Sequence, residues 1–433
     1  MLRIKGCDIM KIRRILSFLM IAAIVLCSFT VSSYAAADSW KPKNEEPFVF
    51  VHGLNGWGGA EGINGIVPYW GATTGDLMVY LQQQGYECYS ASVGPLSSAW
   101  DRACELYAQL IGSTVDYGVA HSAEHNHLRF GRTYYSALVP DWGDLDENGK
   151  IQKIHLIGHS FGGTTVRMLI HLLKYGSPEE IAATDADDIS RLFTGGKEDW
   201  IKSATTICTP HNSSTVYYPL KALGLDVIVQ NISYLYAGIM GRSYFNGRLV
   251  DFHLEQFGLT EIPGVDGADN FFVAMDRVTD NKDDSCVYDL TPEGTKELND
   301  VLEINEDIYY FSYAFSTTKN ILGTEFPIVQ TNPVIWLTAL AMGVTPEFED
   351  SYTGVTYDES WRANDALVNT ESAKNPLDEP SKEFDADNIE KGVWNIMPVR
   401  QGDHGTAIGL FANTNETQAF YLELCELLCS LPE

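Results

Sequence analysis

The chain has 433 residues, 45% of them hydrophobic and 20% charged, with 58 Asp and Glu against 29 Lys and Arg and a formal net charge of −29. That composition excludes a disordered chain or a coiled coil, and the acidic excess excludes nucleic acid as a partner and docking on anionic lipid by charge alone. The length suits one large core or two ordinary ones.

Residues 1–37 stand apart. Lys11, Arg13 and Arg14 precede an apolar run from Ile15 to Val31, and Ala35, Ala36 and Ala37 lie just before Asp38. A charged start, an apolar middle and a small-residue end predict a cleaved signal peptide, hence a secreted, extracellular protein with no stable membrane anchor. Cleavage removes five basic side chains and one acid, leaving a net charge of about −33. The mature chain keeps Cys88, Cys104, Cys208, Cys286, Cys425 and Cys429, which permit disulfides without specifying any. Cys425 and Cys429 sit four apart on a predicted helix and read as packed thiols.

Residues 38–46 read as a loose mature N-terminus, and residues 38–433 as a single domain with no repeat and no linker. Strand-like runs follow at Pro47–His52, Tyr86–Val93, Ile154–Gly158, Ser203–Cys208 and Ile308–Phe315, with helical patches between them. β-branched and aromatic runs that alternate with helices predict an α/β fold, a mostly parallel sheet covered on both faces. Thr164–Tyr175 places Val166, Leu169, Ile170 and Leu173 at helical spacing, with Gly176 as a stop, and Glu416–Leu431 is a second amphipathic helix at the end of the chain.

Between the strand at 154–158 and its helix lies Gly158-His159-Ser160-Phe161-Gly162, a G-x-S-x-G match with both flanks that a nucleophile elbow requires. Ser160 is therefore the candidate nucleophile. Chain order in this class runs Ser, acid, His. His404, in the glycine-rich loop Gln401-Gly-Asp-His404-Gly405 before the last helix, is the candidate base. Asp403 adjoins it in sequence and would diverge from it, whereas Asp365 has the right order but is one of many acids. Backbone N–H groups for an oxyanion would come from Phe161 and from Leu54, in His52-Gly53-Leu54-Asn-Gly56.

These residues, with Val93–Glu105, Thr114–Gly118, Phe130–Tyr134, Thr209-Pro210-His211, Asn364-Asp365 and Gly392–Asn395, resemble the secreted lipases of thermophilic bacilli and staphylococci from about residue 46 to the C-terminal helix. The resemblance implies an α/β-hydrolase fold and cleavage of triacylglycerol esters at an oil–water interface, with Ser160, Asp365 and His404 as the triad and Leu54 and Phe161 as oxyanion donors. Short-chain carboxylesterase or phospholipase action on the same site is the alternative. The resemblance further implies a structural zinc in an insert at about 101–134, held by Asp101, His121, His127 and Glu255, the last standing where the family usually has Asp. The family's calcium ligands correspond here to Thr406, Phe411 and Ala412, so that calcium site is expected to be lost or rebuilt. Residues 213–245, unusually apolar, align with the family's mobile lid.

Two rival readings use other features. His121-Ser-Ala-Glu124-His125 matches the H-x-x-E-H pattern of a zinc-peptidase group, but this requires a helix, and a short segment framed by Gly118 and Gly131 without an apolar stripe predicts a loop. A non-catalytic surface-binding protein on a hydrolase scaffold would not need Ser160, Asp365 and His404 together.

Overall fold

The computed structural model describes residues 41–222, 251–259, 277 and 283–432. The expected signal peptide and most of the expected lid, residues 223–245, lie outside them. Seven parallel strands form the central sheet: β1 (Phe48–Val51), β2 (Cys88–Ala91), β3 (Ile154–His159), β4 (Ile201–Ile207), β5 (Tyr309–Tyr313), β6 (Ser381–Glu383) and β7 (Trp394–Ile396), in the order β6-β7-β5-β4-β3-β1-β2. The sequence marks the first five strands to within a few residues. It does not mark β6 and β7, because Ser381–Glu383 and Trp394–Ile396 are three residues long and carry no alternation.

Strand β1 shows how the sheet is buried on both faces. Its four residues are all fully buried. Val49 and Val51 pack with Leu156, Ala204 and the helices α2 (Ala99–Ile111) and α3 (Phe161–Tyr175) on one side. Phe48 and Phe50 pack with Ile157, Phe311 and the helices α1 (Leu77–Gln83) and α4 (Thr414–Cys429) on the other. A period of two thus sends alternate residues of one strand into two separate apolar layers, which is why the run is hydrophobic throughout. The six cysteines among the described residues are free thiols; Cys425 is buried in the second layer, whereas Cys429 is exposed and not packed as expected.

The first layer also holds charged groups. Glu105 of α2 lies 2.9 Å from His253 Nδ1 and accepts from the Tyr117 hydroxyl at 3.1 Å. Glu61, which accepts from Gly58 N–H and Ser92 Oγ, stands 3.8 Å from His253 Nε2. Arg132 beside them pairs with Asp251 at 2.8 Å and Glu255 at 2.6 Å. His253 therefore joins the loop after β1 to α2 and to the segment 251–259. Burial and the neighbouring Arg132 oppose its charge, but the carboxylates of Glu105 and Glu61 outweigh them and raise its pKa to about 9.

Because that folded value exceeds the unfolded one near 6.5, the contribution of His253 to stability is complete below pH 6.5 and is lost as pH rises through 9. Urea unfolding should show a loss on the order of 1–3 kcal/mol between pH 6 and pH 10 that His253→Gln removes. An equal loss in the variant would assign it to other groups.

Candidate active site

Ser160 sits between β3 and α3 with φ 56° and ψ −131°, a conformation that a side-chain-bearing residue rarely adopts. The surroundings impose it. Ser160 N–H donates to the Ile207 carbonyl at 2.8 Å, and the Ser160 carbonyl accepts from Thr209 Oγ1 at 2.9 Å, so the turn is fixed by the last residue of β4 and by the loop that follows it. A Cβ at Gly162 would stand 2.1 Å from the Val51 carbonyl oxygen, which is why the helix can follow the turn this closely against β1. A Cβ at Gly53 would stand 2.7 Å from Ser160 Cβ, so only glycine lets the loop after β1 touch the serine.

Asp365 and His404 come together at the carboxyl end of the sheet. His404 Nδ1 lies 2.8 Å from Asp365 Oδ2, and His404 N–H donates to the Asp365 carbonyl at 2.8 Å, which holds the imidazole by two independent bonds. The other oxygen of Asp365 accepts from the N–H groups of Leu367 at 2.9 Å and Val368 at 2.7 Å. A carboxylate so bound is an acceptor; His404 Nδ1 is then the donor, and its Nε2 keeps a lone pair for a proton. Asp403, although adjacent in sequence, turns away and accepts from Thr406 N–H and Oγ1 and from Asn332 N–H.

Phe161 N–H opens α3 and has no carbonyl within the helix to bond. Around Leu54 the flanking donors are engaged, Gly53 N–H with the Tyr69 hydroxyl, Asn55 N–H with Pro95 and Gly56 N–H with Gly53. Arg102, fully buried on α2, fixes this loop by donating to the carbonyls of His52 and Gly94 and to Thr165 Oγ1.

A hydrogen-bonded chain that the sequence did not reveal connects the loop to His404. Gly53 N–H can only donate, at 2.9 Å, so the Tyr69 oxygen accepts and its proton goes to His159 Nδ1 at 2.7 Å. That leaves the proton of His159 on Nε2, where it donates to the His404 carbonyl at 3.1 Å. Burial, then the proximity of His404, pushes the pKa of His159 well below its ordinary value, and burial raises that of Tyr69, so both remain neutral and the direction of the chain is fixed. The elbow histidine thereby ties His404 to the loop that carries Leu54. Only the position of His159 before Ser160 offered a sequence signal for it; Tyr69 offered none.

The insert at 101–134 gathers Asp101, His121 and His127, but the fourth residue is Asp284 and not Glu255. Their ligand atoms lie within 4.8 Å of one another. Glu255 is drawn instead to the buried guanidinium of Arg132, which its extra methylene reaches, and its neighbour Gln256 donates to Asp101 Oδ2 at 3.2 Å. His127 Nδ1 is 2.9 Å from the Leu128 carbonyl and donates to it, which turns Nε2 toward the cluster. That Nε2 and Asp284 Oδ2 face each other at 3.5 Å, buried and without a hydrogen bond. Two imidazole nitrogens and two carboxylate oxygens make a four-donor set of the kind zinc takes. A short helix, Val119–Glu124, stands where a loop is expected; Glu180 caps it by accepting from Ala120 and His121 N–H. It leaves Glu124 exposed and outside the cluster, so the H-x-x-E-H arrangement is not assembled.

At the positions of the family's calcium ligands, Thr406 bonds Asp403, and Phe411 is exposed with its N–H on Thr73 Oγ1 at 2.7 Å. Of the expected lid, Ser213, Ser214 and Thr215 are buried and bonded: Ser214 Oγ donates to Leu367 and Thr215 N–H to Asn369 Oδ1. A helix at Tyr217–Ala222 follows them.

The parallel sheet, the strained serine between strand and helix and the paired Asp365 and His404 define the class of the protein as an α/β-hydrolase. A family model described as "Lipase-like, C-terminal domain" matches residues 44–430, and the chain belongs to this family. It is 37% identical over 381 residues to a lipase of Staphylococcus hyicus, covering 87% of this chain and 55% of that protein, and 35% identical over 384 residues to lipase 2 of Staphylococcus aureus, covering 86% and 52%. The chain thus spans about half the length of these relatives. Among solved structures it is similar to Staphylococcus hyicus lipase, with a TM-score of 0.76 at 34% identity over 91% of this chain and 98% of that one. Lipase 1 from Pelosinus fermentans gives 0.74 at 37% over 90% and 100%, and EstA from Clostridium botulinum 0.76 at 32% over 96% and 98%.

Tyr69→Phe removes one oxygen and leaves Gly53 N–H and His159 Nδ1 unpaired, at about 1–3 kcal/mol for each buried group. Ester turnover should fall about 10- to 100-fold in kcat with KM little changed, because the hydroxyl positions groups used in the transition state. An unaltered kcat in a variant of lowered urea midpoint would make the chain of bonds purely structural.

Proposed function

We propose that this chain is a secreted lipase that hydrolyses the carboxylic esters of triacylglycerols through Ser160, His404 and Asp365. The observation that carries the reading is the bonding of His404 to Asp365 by both side chain and backbone, together with the bond from His159, the residue before the strained serine, to the His404 carbonyl. His404 Nε2 takes the proton of Ser160 as its oxygen bonds to the ester carbonyl carbon. The imidazolium so formed is stabilised by Asp365, and the carbonyl oxygen, now negative, is met by the N–H groups of Leu54 and Phe161. His404 returns the proton to the departing alcohol. It then takes one from water, whose oxygen bonds to the acyl carbon, and passes it to Ser160 Oγ as the bond from that oxygen to the acyl group breaks and the fatty acid leaves. The apolar stretch 213–245 serves as a lid, and residues 1–37 direct export.

The insert carries a structural zinc on Asp101, His121, His127 and Asp284. When bound, zinc supplies a cross-link and charge compensation and no part of the ester chemistry. Among these residues burial opposes the charge on each carboxylate, raising the Asp101 pKa to about 6, and a divalent cation answers that cost better than His121 and His127, both of which also need to be unprotonated to bind it.

Ser160→Ala should reduce turnover of emulsified triacylglycerol and of soluble short-chain esters by about 10⁴-fold or more at unchanged thermal stability. Activity that survives this change and is abolished at once by a chelator would overturn the reading. Metal analysis of the purified chain should find one zinc, which Asp284→Asn loses with a drop in melting temperature and Glu255→Gln retains. Loss of zinc in Glu255→Gln and not in Asp284→Asn would restore Glu255 as a ligand.

A further inference from the structure

Residues 318–344 form a unit that the ester chemistry leaves unused: an antiparallel hairpin, Thr318–Ile321 with Thr324–Pro327, and a helix, Trp336–Gly343, laid against it. The helix approaches so closely that a Cβ at Gly343 would stand 1.9 Å from the Glu325 carbonyl oxygen. The two-residue turn is Leu322-Gly323, with φ 55° and 84°. A turn with two positive φ values favours Asn-Gly, and a bulky side chain at its first position is conformationally unfavourable. Packing does not compensate, because Leu322 is 100% exposed. The tip is also held in place, since Arg362 Nη1 donates to the Gly323 carbonyl at 2.5 Å.

The same unit exposes Val329 at 97%, Leu337 at 72% and Val334 at 70%, with Ile321 and Trp336 partly covered. From Ile321 to Val344 its single charged residue is Glu325, which is buried, in a chain of net charge −29. With Lys319 as the one exposed cation of the unit, on an acidic protein, this apolar surface suits an uncharged lipid surface better than an anionic membrane. Its mounting points in the same direction. Thr317 N–H donates to the Asn364 carbonyl at 2.8 Å, Asn364 Nδ2 donates to the Ala339 carbonyl at 3.2 Å, and Asn332 N–H donates to Asp403 Oδ2 at 2.8 Å. The unit is therefore bonded directly to the residues beside Asp365 and His404.

We propose that the hairpin and helix at 318–344, led by Leu322, Val329 and Leu337, form a fixed docking face for the uncharged surface of a lipid aggregate, which holds the Asp365 and His404 end of the site at that surface. This rests on the reading of the chain as a lipase. It gives the strained, fully exposed Leu322 a role that folding does not.

The test is the full chain carrying Leu322→Asn, Val329→Ser and Leu337→Gln, compared with the unsubstituted chain. Binding is measured by flotation with triolein emulsions coated with phosphatidylcholine, each protein also bearing Ser160→Ala so that no lipid is consumed. The three changes should lower partition to the emulsion by about tenfold or more. Melting temperature should not fall, since Asn suits the Leu322 backbone, and with Ser160 intact the hydrolysis of a water-soluble short-chain ester should be unchanged. Unaltered partition would overturn the proposal. Unaltered partition with a change from dimer to monomer would assign the face to a second copy of the chain, and unaltered partition with faster soluble-ester turnover would assign it to residues 223–250; either result overturns it. Absence of ester hydrolysis by the unsubstituted chain would defeat the lipase reading while leaving the flotation comparison intact.

Discussion

The backbone of Ser160 is held at a positive φ by bonds from the end of β4 and the loop after it to its N–H and its carbonyl, and the rest of the site is arranged around that constraint. Strain of this kind costs on the order of 1–3 kcal/mol and persists only where the surroundings leave the chain no alternative. Here the parallel strands supply that rigidity. β3 is hydrogen-bonded on both edges, α3 starts immediately after the serine, and Gly53 and Gly162 permit approaches that any side chain would block. The elbow is thus a property of the sheet as much as of the motif.

Buried polar groups then convert a rigid elbow into a positioned site. Arg102 reaches the carbonyls of His52 and Gly94, His253 joins Glu105 to Glu61, and the Tyr69 to His159 chain runs from Gly53 N–H to the carbonyl of His404. Each would be costly if left unpaired in the interior, and each is paired with loop backbone or with groups beside it. The first layer of the core is accordingly ionic where it adjoins the loop after β1 and apolar elsewhere. The Asp101, His121, His127 and Asp284 cluster joins the insert to the segment at 284, and Asp101 stands on the same helix α2 as Arg102 and Glu105.

Much of this was legible in the sequence where the signal was local. The five longer strands, the helix after the elbow and the place of Ser160 between strand and helix follow from runs, periods and a motif whose flanks agree with it. Asp365 could not be separated from other acids by order alone; family resemblance selected it, and the bond to His404 Nδ1 accounts for it. The fourth residue of the insert cluster was mistaken because Glu255 and Asp284 are both acids, and the competing attraction of Arg132 is invisible until 132, 251 and 255 are brought together. The helix at 119–124 was missed for a similar reason: its cap, Glu180, is some 60 residues away.

By itself, the sequence determined the α/β class, the serine elbow and the candidate base, because hydrophobic period and turn chemistry act over a few residues. Only the tertiary structure decided which carboxylate faces which cation, which way the protons of Tyr69 and His159 point, and that Leu322 is presented to solvent on a clamped turn. Those outcomes depend on distances of a few ångströms between residues far apart in the chain, where burial strengthens one pairing and excludes its rivals.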